Sequence, residues 1–301
     1  MFVTNESRIF TLNERSVVTI VSKINDNTSA FGTGFFISKD GKVLTSSHNV
    51  INAIEVYIYA EGQLFRANEI RNNTRFDVAI YKIEIESKAI TFATYIEPNQ
   101  LCFTISSTSD RVDKFCRSGT VHKETFVTSE VIDSILTTVQ LNKGMSGCPL
   151  FDIKGDCIGM LGWYMQSLNS SGGISMKVIK NVIEKEHTSV NFKSKGLGLH
   201  NILAHNIPIE GCYGEIVTDS NNSDVNVNDV ILSVNDQKVG IDDVSVESLT
   251  CFKCNNNYVN VRMMKFNGKS WNKPENIRVS LSKNEDKEFF VRGSASFKYT
   301  H

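Results

Sequence analysis

Short apolar runs separated by polar turns dominate the chain from residue 16 to about residue 165. Most are rich in β-branched side chains, which is typical of strands. They predict strands over 16–24, 32–38, 42–45, 54–59, 64–70, 78–83, 101–106, 117–123, 135–138, 149–152 and 157–164. The second and third runs flank Asp40-Gly41, a strong hairpin signal. Many short strands without intervening helices predict an all-β barrel or sandwich.

The hydrophobic period changes at residues 177–186. Val178, Ile179, Val182 and Ile183 recur at helical spacing there, so we predict a helix that closes a first domain spanning 1–190. A polar link at 191–195 follows, and then a new β-rich pattern with strands at 214–218, 229–235, 258–266 and 277–282. This pattern predicts a second domain over 191–301.

Composition adds limits on function. The chain has 301 residues, of which 41% are hydrophobic and 22% charged, with a net charge of −1. These values are ordinary for a globular chain of about two domains. Without a long basic run, nucleic acid is not expected as a partner. No apolar run approaches about 20 residues and no leader is visible, so we expect no membrane span and an intracellular location.

The seven cysteines are an odd number and none lies in the first hundred residues. That distribution does not form a disulfide framework, and we expect mostly buried, reduced thiols. Cys251 and Cys254 form a single C-x-x-C pair, which is insufficient for a tetrahedral metal site. We therefore expect no metal and no cofactor.

One serine lies between two glycines in Asn142–Leu150, at the start of an apolar run. Gly144 can adopt a positive φ, and such a turn can aim the amides of Gly144 and Ser146 at one point, where an oxyanion would form. Turns of this composition are mostly only turns. A catalytic interpretation therefore depends on a base and an acid elsewhere in the chain.

His48 and Asp77 are the candidates for that base and acid. A lone histidine is more often structural, and an aspartate at a strand edge is more often a turn residue. A buried aspartate needs a donor, however, and a histidine N–H can supply it. The order His48, Asp77, Ser146 is that of the double β-barrel proteases, whereas α/β hydrolases need strand–helix alternation and the order serine, acid, histidine.

Four motifs in that order resemble trypsin-like serine proteases of the HtrA/Deg branch. They are Gly32-Thr33-Gly34-Phe35, Thr45-Ser46-Ser47-His48, Asp77-Val78-Ala79-Ile80 and Gly144-Met145-Ser146-Gly147. The resemblance covers residues 16–185 and implies a mainly β fold of two six-stranded chymotrypsin-like barrels. It implies Ser146 as nucleophile, His48 as base, Asp77 as its orienting acid, and the amides of Gly144 and Ser146 as the oxyanion hole.

Two residues depart from the HtrA pattern. Met145 stands where asparagine is usual, and Cys148 stands where a second glycine is usual. The alternative is therefore a protease-fold scaffold or chaperone that binds peptides and cuts weakly or not at all. For Cys148 we favour buried packing over chemistry.

The resemblance also implies a specificity pocket that binds the P1 residue of the substrate. Gln140 occupies the place where a trypsin carries an aspartate, so the pocket has no counter-charge for lysine or arginine. Ser171, Gly172 and Gly173 form the opposite wall, and the two glycines are expected to leave its entrance open. We predict a preference for aliphatic or small apolar P1 residues.

The second domain resembles a PDZ domain. Gly196-Leu197-Gly198-Leu199 is similar to a carboxylate-binding loop, and Asn228–Asn235 is similar to the strand that follows it at this distance. The resemblance implies that the amides of Leu197, Gly198 and Leu199, helped by Lys195, bind the C-terminus of a polypeptide. It further implies a homotrimer formed through an N-terminal segment, with contacts here from Phe2, Ile9, Phe10 and Leu12.

Overall fold

The computed structural model of the chain describes residues 4–74, 76–107, 113–126, 134–165, 169–184, 188–197, 199–208, 213–240, 246–250 and 257–283. The described residues fall into two compact units. The first holds those up to 124 and those from 135 to 180, and the second holds residues 125, 126 and 134 and those from 181 to 283. Four residues named in the sequence predictions lie outside the described residues: Phe2, Gly198, Cys251 and Cys254.

An antiparallel sheet of seven strands forms the first half of the first unit. Its order is β5-β4-β1-β2-β3-β7-β6. The predicted run 64–70 is two strands with a break at Ala67. The strands are β1 (Val17–Asn25), β2 (Thr28–Phe36), β3 (Lys42–Thr45), β4 (Glu55–Ala60), β5 (Gln63–Arg66), β6 (Asn68–Asn73) and β7 (Val78–Lys82). The Asp40-Gly41 hairpin is confirmed, because β2 pairs with β3 across it.

A closed barrel of six strands forms the other half, in the order β10-β13-β12-β11-β8-β9. Its strands are β8 (Leu101–Ser107), β9 (Lys114–Phe126), β10 (Ser134–Thr137), β11 (Cys148–Phe151), β12 (Cys157–Met165) and β13 (Ser170–Ser175). The predicted helix follows as α2, Met176–Glu184. The mainly β, chymotrypsin-like prediction is confirmed. The first half nevertheless has seven strands, where six were expected, and within the described residues its two edge strands, β5 and β6, are not paired with each other.

A helix that the apolar pattern did not predict begins the first unit: α1, Asn5–Asn13. The segment is mostly polar, and its clearest local mark is Thr4, whose hydroxyl accepts a hydrogen bond from the Ser7 amide at 3.2 Å. Ile9 is fully buried within this unit. The Asn13 side chain donates to the Gly155 carbonyl at 3.2 Å. Ile9 is therefore not free for the contact between subunits that the trimer prediction assigned to it.

The second unit is built on a six-stranded antiparallel sheet. The path β15-β16-β17-β19-β20 is joined by β18, which pairs with β17, and β14 pairs with β21 separately. The strands are β14 (Thr188–Ser189), β15 (Phe192–Gly196), β16 (Glu215–Ser220), β17 (Val230–Val234), β18 (Gln237–Lys238), β19 (Tyr258–Met264), β20 (Glu275–Ser280) and β21 (Ser282–Lys283). Two short helices, α3 (Leu199–His205) and α4 (Val246–Thr250), complete it. The four strands predicted here are thereby confirmed.

Candidate active site

His48 and Asp77 are brought together by the pairing of β3 with β7. His48 lies in a single 3₁₀ turn directly after β3, and Asp77 directly precedes β7. The His48 Nδ1 atom is 2.7 Å from Asp77 Oδ2, and the His48 amide donates to Oδ1 at 2.8 Å. One carboxylate thus binds the ring and the backbone of the same histidine. This arrangement sets the orientation of the ring and leaves Nε2 free of this contact.

The Asp77 backbone is in the left-handed region, with φ of 54°. Aspartate tolerates this conformation better than most residues, but at some energetic expense. The turn before it is held by Asn73, whose side chain accepts from the Phe76 amide at 3.0 Å, while the Asp77 carbonyl accepts from the Ser47 amide at 3.1 Å. The backbone strain lies at the residue whose carboxylate faces the histidine, as is common at functional sites.

Two opposing effects act on the pKa of His48. Burial alone would lower the pKa, but the charge of the Asp77 carboxylate and its hydrogen bond raise it, and the net result is a pKa above the usual 6.5. The side chain is still 47% exposed, so it remains within reach of a substrate. His48 therefore becomes neutral, and able to accept a proton, at a higher pH than a free histidine does.

Ser146 follows a tight turn that begins at Asn142. The Met145 amide donates to the Asn142 carbonyl at 3.1 Å, and Gly144 at the third position has φ of 85°, the pattern of a type II turn. Neither the Gly144 amide nor the Ser146 amide, the two predicted oxyanion donors, makes a hydrogen bond to a described residue.

Gly162 is the point where the three predicted catalytic side chains meet. The Ser146 hydroxyl donates to the Gly162 carbonyl at 3.2 Å. A Cβ atom added to Gly162 would lie 3.1 Å from Asp77 Oδ2 and 3.8 Å from His48 Cε1. The structure thus places serine, histidine and aspartate around one glycine, with the serine hydroxyl bonded to that glycine. Sequence reasoning missed Gly162, because a glycine inside a strand carries no chemical signal of its own.

The nucleophile turn is also bound to the first sheet. The Ser146 carbonyl accepts from the Thr33 amide at 2.9 Å and from the Asn49 side chain at 2.8 Å. The Thr33 hydroxyl donates to the Gly144 carbonyl at 2.8 Å. Gly32 leaves the space that Asn49 fills, since an added Cβ would be 2.4 Å from Asn49 Nδ2. The Gly-Thr-Gly motif therefore serves the active site directly, and Asn49 was missed because its partner is distant in sequence.

The two unusual residues beside Ser146 are both part of the barrel core. Met145 is 1% exposed and its sulfur accepts from the Asn142 amide at 3.1 Å. Cys148 is fully buried, and burial raises the pKa of its thiol to about 12. An apolar side chain and a neutral thiol pack below the turn, which is held without an acidic residue at position 145.

Gln140 and Ser171, predicted to wall the P1 pocket, differ in exposure. Gln140 is exposed, and its carbonyl accepts from Arg117 Nη1 at 2.8 Å. Ser171 is fully buried in β13, and its hydroxyl has no partner among the described residues. Arg117 was not singled out from the sequence, because an arginine in a strand 23 residues before Gln140 gives no local sign of the contact.

The expectation that Gly172 and Gly173 leave the pocket entrance open is wrong. The indole ring of Trp163, on the neighbouring strand, covers Gly172, and an added Cβ would lie 2.1 Å from Trp163 Cη2. At Gly173 an added Cβ would lie 1.9 Å from the Met160 carbonyl oxygen. Only glycine fits at these two positions, because an aromatic ring approaches Gly172 closely and a strand backbone approaches Gly173 closely. Neither position therefore opens onto a pocket in the direction where a Cβ atom would lie.

The predicted carboxylate-binding residues of the second unit are only partly suited to that role. Lys195 is exposed at the end of β15. The Leu197 amide donates to the Gly214 carbonyl at 3.0 Å, so the prediction that this amide binds a peptide carboxylate is wrong. Leu199 is the first residue of α3, which leaves no strand directly after the loop for a peptide to pair with.

The described residues contain no helix of sufficient length and apolar character to span a membrane. They also contain no group of three or more histidine, cysteine, aspartate or glutamate side chains placed to hold a metal ion.

Comparison with known families places the site in a class. Residues 32–160, which include all three predicted catalytic residues, match the family described as Trypsin-like peptidase domain. This part of the chain is similar to trypsin-like peptidase domains, and the relatives that it matches include HtrA-type serine proteases, in line with the predicted resemblance.

Three of those relatives are named serine proteases. The putative serine protease HhoB of Synechocystis is 27% identical over 179 residues, which is 56% of this chain and 43% of that protein. Serine protease HTRA1 of Xenopus laevis is 28% identical over 184 residues, 56% of this chain and 38% of that protein. A probable periplasmic serine endoprotease DegP-like from Marinomonas is 25% identical over 235 residues, 70% of this chain and 49% of that protein. The chain spans less than half the length of these relatives.

Solved structures agree on the fold across nearly the whole chain. The HtrA-type protease AlgW with tripeptide matches with a TM-score of 0.73 at 18% identity, covering 95% of this chain and 99% of that one. The serine endoprotease from Yersinia pestis matches with a TM-score of 0.67 at 15% identity, covering 95% of this chain and 100% of that one. Both units of the chain therefore have counterparts in HtrA-type folds.

Proposed function

We propose that the chain is a serine endopeptidase that cleaves polypeptides, such as unfolded or regulatory proteins, with Ser146, His48 and Asp77. The observation that carries this proposal is the meeting of the three side chains at Gly162 beside two unoccupied amides. The named serine proteases among its relatives support the same activity.

The residues have distinct roles in the proposed reaction. His48 Nε2 removes the hydroxyl proton of Ser146 as Oγ attacks the scissile carbonyl carbon. The Gly144 and Ser146 amides stabilise the resulting oxyanion, and Asp77 stabilises the imidazolium. The imidazolium then donates its proton to the leaving amine, which departs with the cleaved bond. Water, activated by the neutral His48, hydrolyses the acyl-enzyme and restores the serine.

In the resting structure the Ser146 hydroxyl is bonded to the Gly162 carbonyl. Catalytic hydrogen bonds are often loose before substrate binds and tighten in the complex. In the proposed mechanism the hydroxyl turns from Gly162 towards His48 Nε2 when substrate enters.

We also propose that the P1 pocket takes small apolar side chains. Gln140 offers no negative charge to a basic side chain, and the Trp163 ring takes up the space beside Gly172. Replacing Trp163 with alanine is expected to extend cleavage to leucine and phenylalanine at P1. Mass spectrometry of the peptides released from casein measures the change.

A Ser146→Ala variant tests the nucleophile. The wild-type chain is expected to cleave casein and to react with a fluorophosphonate probe, and the variant to do neither. Cleavage that persists in the variant excludes Ser146 as the nucleophile. If the folded wild-type chain neither cleaves nor reacts, the alternative of a peptide-binding scaffold or chaperone is favoured, and suppression of aggregation by Ser146→Ala measures that activity.

Peptide binding by the second unit and the homotrimer stay predictions. With the Leu197 amide already bonded, peptide binding depends on the remaining predicted residues, and titration with a labelled peptide with a free C-terminus tests it. With Ile9 buried, a trimer depends on the other predicted contacts, among which Leu12 is 42% exposed. Light scattering measures the mass.

A further inference from the structure

An arginine outside the four motifs contacts the segment that leads to the nucleophile. Arg117 lies in β9, and its Nη1 donates to the Gln140 carbonyl at 2.8 Å. The side-chain amide of Asn142 has one orientation in which both its oxygen and its nitrogen make hydrogen bonds. In that orientation Arg117 Nη2 donates to the side-chain oxygen at 3.0 Å, and the side-chain nitrogen donates to the Leu141 carbonyl at 3.2 Å. One guanidinium thus holds two positions of the same segment.

Apart from Arg117, the segment is held by the hydrogen bonds between Asn142 and Met145 and by the packing of Leu141 on the barrel core. Gln140–Asn142 lies between β10 and β11 and belongs to no strand. Arg117, by contrast, is paired with Thr104 inside the closed barrel, and its guanidinium lies 5.1 Å from the centre of the Phe115 ring. An arginine on a rigid strand is well suited to hold an irregular loop, because its guanidinium is planar and its hydrogen-bond donors have a fixed geometry.

The charge of Arg117 is not used in an ion pair within the described part of the chain, since no carboxylate there lies within 4.0 Å of it. Its recorded polar contacts go to the segment before Ser146. Asn142, which it holds, is also the first residue of the type II turn whose third residue is Gly144. The contact therefore sets the start of the turn that presents the oxyanion donor.

We propose that Arg117 is a positioning residue that holds Gln140–Asn142, and through it the Gly144 amide, in the conformation that binds an oxyanion. This inference rests on the proposed peptidase function. It supplies a physical means of fixing the turn when an apolar methionine occupies position 145. His48 and Asp77 are attached to the first sheet and keep their contacts when Arg117 is lost.

Arg117→Ala and Arg117→Lys test the proposal, with Arg66→Ala as a matched surface control, since Arg66 is 70% exposed. We expect Arg117→Ala to lower kcat by about 10- to 100-fold, short of the 10²–10³ lost with a whole oxyanion donor. The pH midpoint of kcat/KM stays in place because His48 and Asp77 are untouched. Arg117→Lys gives an intermediate loss, millimolar guanidinium partly restores Arg117→Ala, and Arg66→Ala matches wild type.

Hydrogen exchange separates this inference from the proposed function. In a Ser146→Ala background, Arg117→Ala is expected to speed amide exchange in peptides covering 138–147, with no change in β2 or β3. Unchanged exchange there, or a wild-type kcat in Arg117→Ala, overturns the positioning role. If the wild-type chain does not cleave at all, the proposed function fails, and the exchange result still decides whether Arg117 holds the turn.

Discussion

Replacing Asp77 with asparagine tests the charge at the centre of the proposed site with almost no change in shape. The side-chain oxygen of asparagine can still accept from the His48 amide, now 2.8 Å from Oδ1. The group facing Nδ1, now a carboxylate oxygen at 2.7 Å, becomes an amide that donates. The ring is then driven to place its proton on Nε2, where it cannot accept the proton of Ser146.

The geometry bounds the size of the effect. Unit charges 2.7 Å apart attract by about 1.5 kcal/mol in bulk water and about 6 kcal/mol at an effective dielectric constant of about 20. With the His48 side chain 47% and the Asp77 side chain 32% exposed, the electrostatic loss lies between these limits. At about 1.36 kcal/mol per tenfold change in rate, it corresponds to about 10- to 10⁴-fold. The wrong tautomer acts in addition, so we expect kcat to fall by about 10⁴-fold, as in other triads.

The direction of the pH effect is also determined. The Asp77 charge and hydrogen bond raise the pKa of His48 against the lowering effect of burial. Without the carboxylate, burial acts alone and the pKa falls. Because the base works in its neutral form, the acid limb of kcat/KM moves to lower pH while the plateau drops.

Peptide cleavage and fluorophosphonate labelling, each measured across pH, check this prediction. Asp26→Asn is a suitable control, because Asp26 is a surface aspartate with its side chain 92% exposed. The substitution removes the carboxylate charge and also changes the histidine tautomer. A kcat/KM plateau of Asp77→Asn within about threefold of wild type therefore refutes the reasoning. So does an acid limb that moves to higher pH.

Three further predictions concern the nucleophile turn. Gly147→Ala should lower the free energy of unfolding by about 2 kcal/mol or more, because φ is 87° and the new Cβ would lie 2.1 Å from the Thr33 carbonyl oxygen. Urea denaturation measures it, and a loss below about 0.5 kcal/mol contradicts it. Asn49→Ala removes one of two donors to the Ser146 carbonyl and should lower kcat by about tenfold, about one hydrogen bond's worth; an unchanged kcat contradicts that role. The Cys148 thiol, with its pKa raised to about 12, should resist iodoacetamide at pH 8 until the chain unfolds, as peptide mapping would show; rapid modification in the folded chain contradicts its burial.

Residue order and local pattern were sufficient for the general fold and for selecting three candidate residues that the structure brings close together. His48, Asp77 and Ser146 each lie next to a strand that its own apolar residues predict, so their positions follow from the pairing of those strands. The Asp40-Gly41 turn was predictable for the same reason, since its geometry depends on adjacent residues.

The parts that were missed depend on contacts between distant residues. Asn49 looks like a neighbour of the histidine, but it bonds to a carbonyl 97 positions away. Trp163 covers Gly172 through strand pairing that the two residues alone do not reveal. The Leu197 amide was assigned to a ligand because the motif suggested it, whereas the fold gives it to Gly214. A local motif therefore indicates the chemistry, but it does not indicate which backbone groups the fold has already used.

The hydrogen bonds between the nucleophile turn and the first sheet have a consequence for how activity appears during folding. Thr33 and Gly144 are 111 residues apart, and Asn49 and Ser146 are 97 apart. Contacts of such long range form late, because a large loop must close before they are made. The closed barrel can therefore assemble around Ser146 before the turn is locked, and cleavage should lag behind barrel formation in refolding. A newly made chain would then not cleave its neighbours until both halves of the first unit have docked.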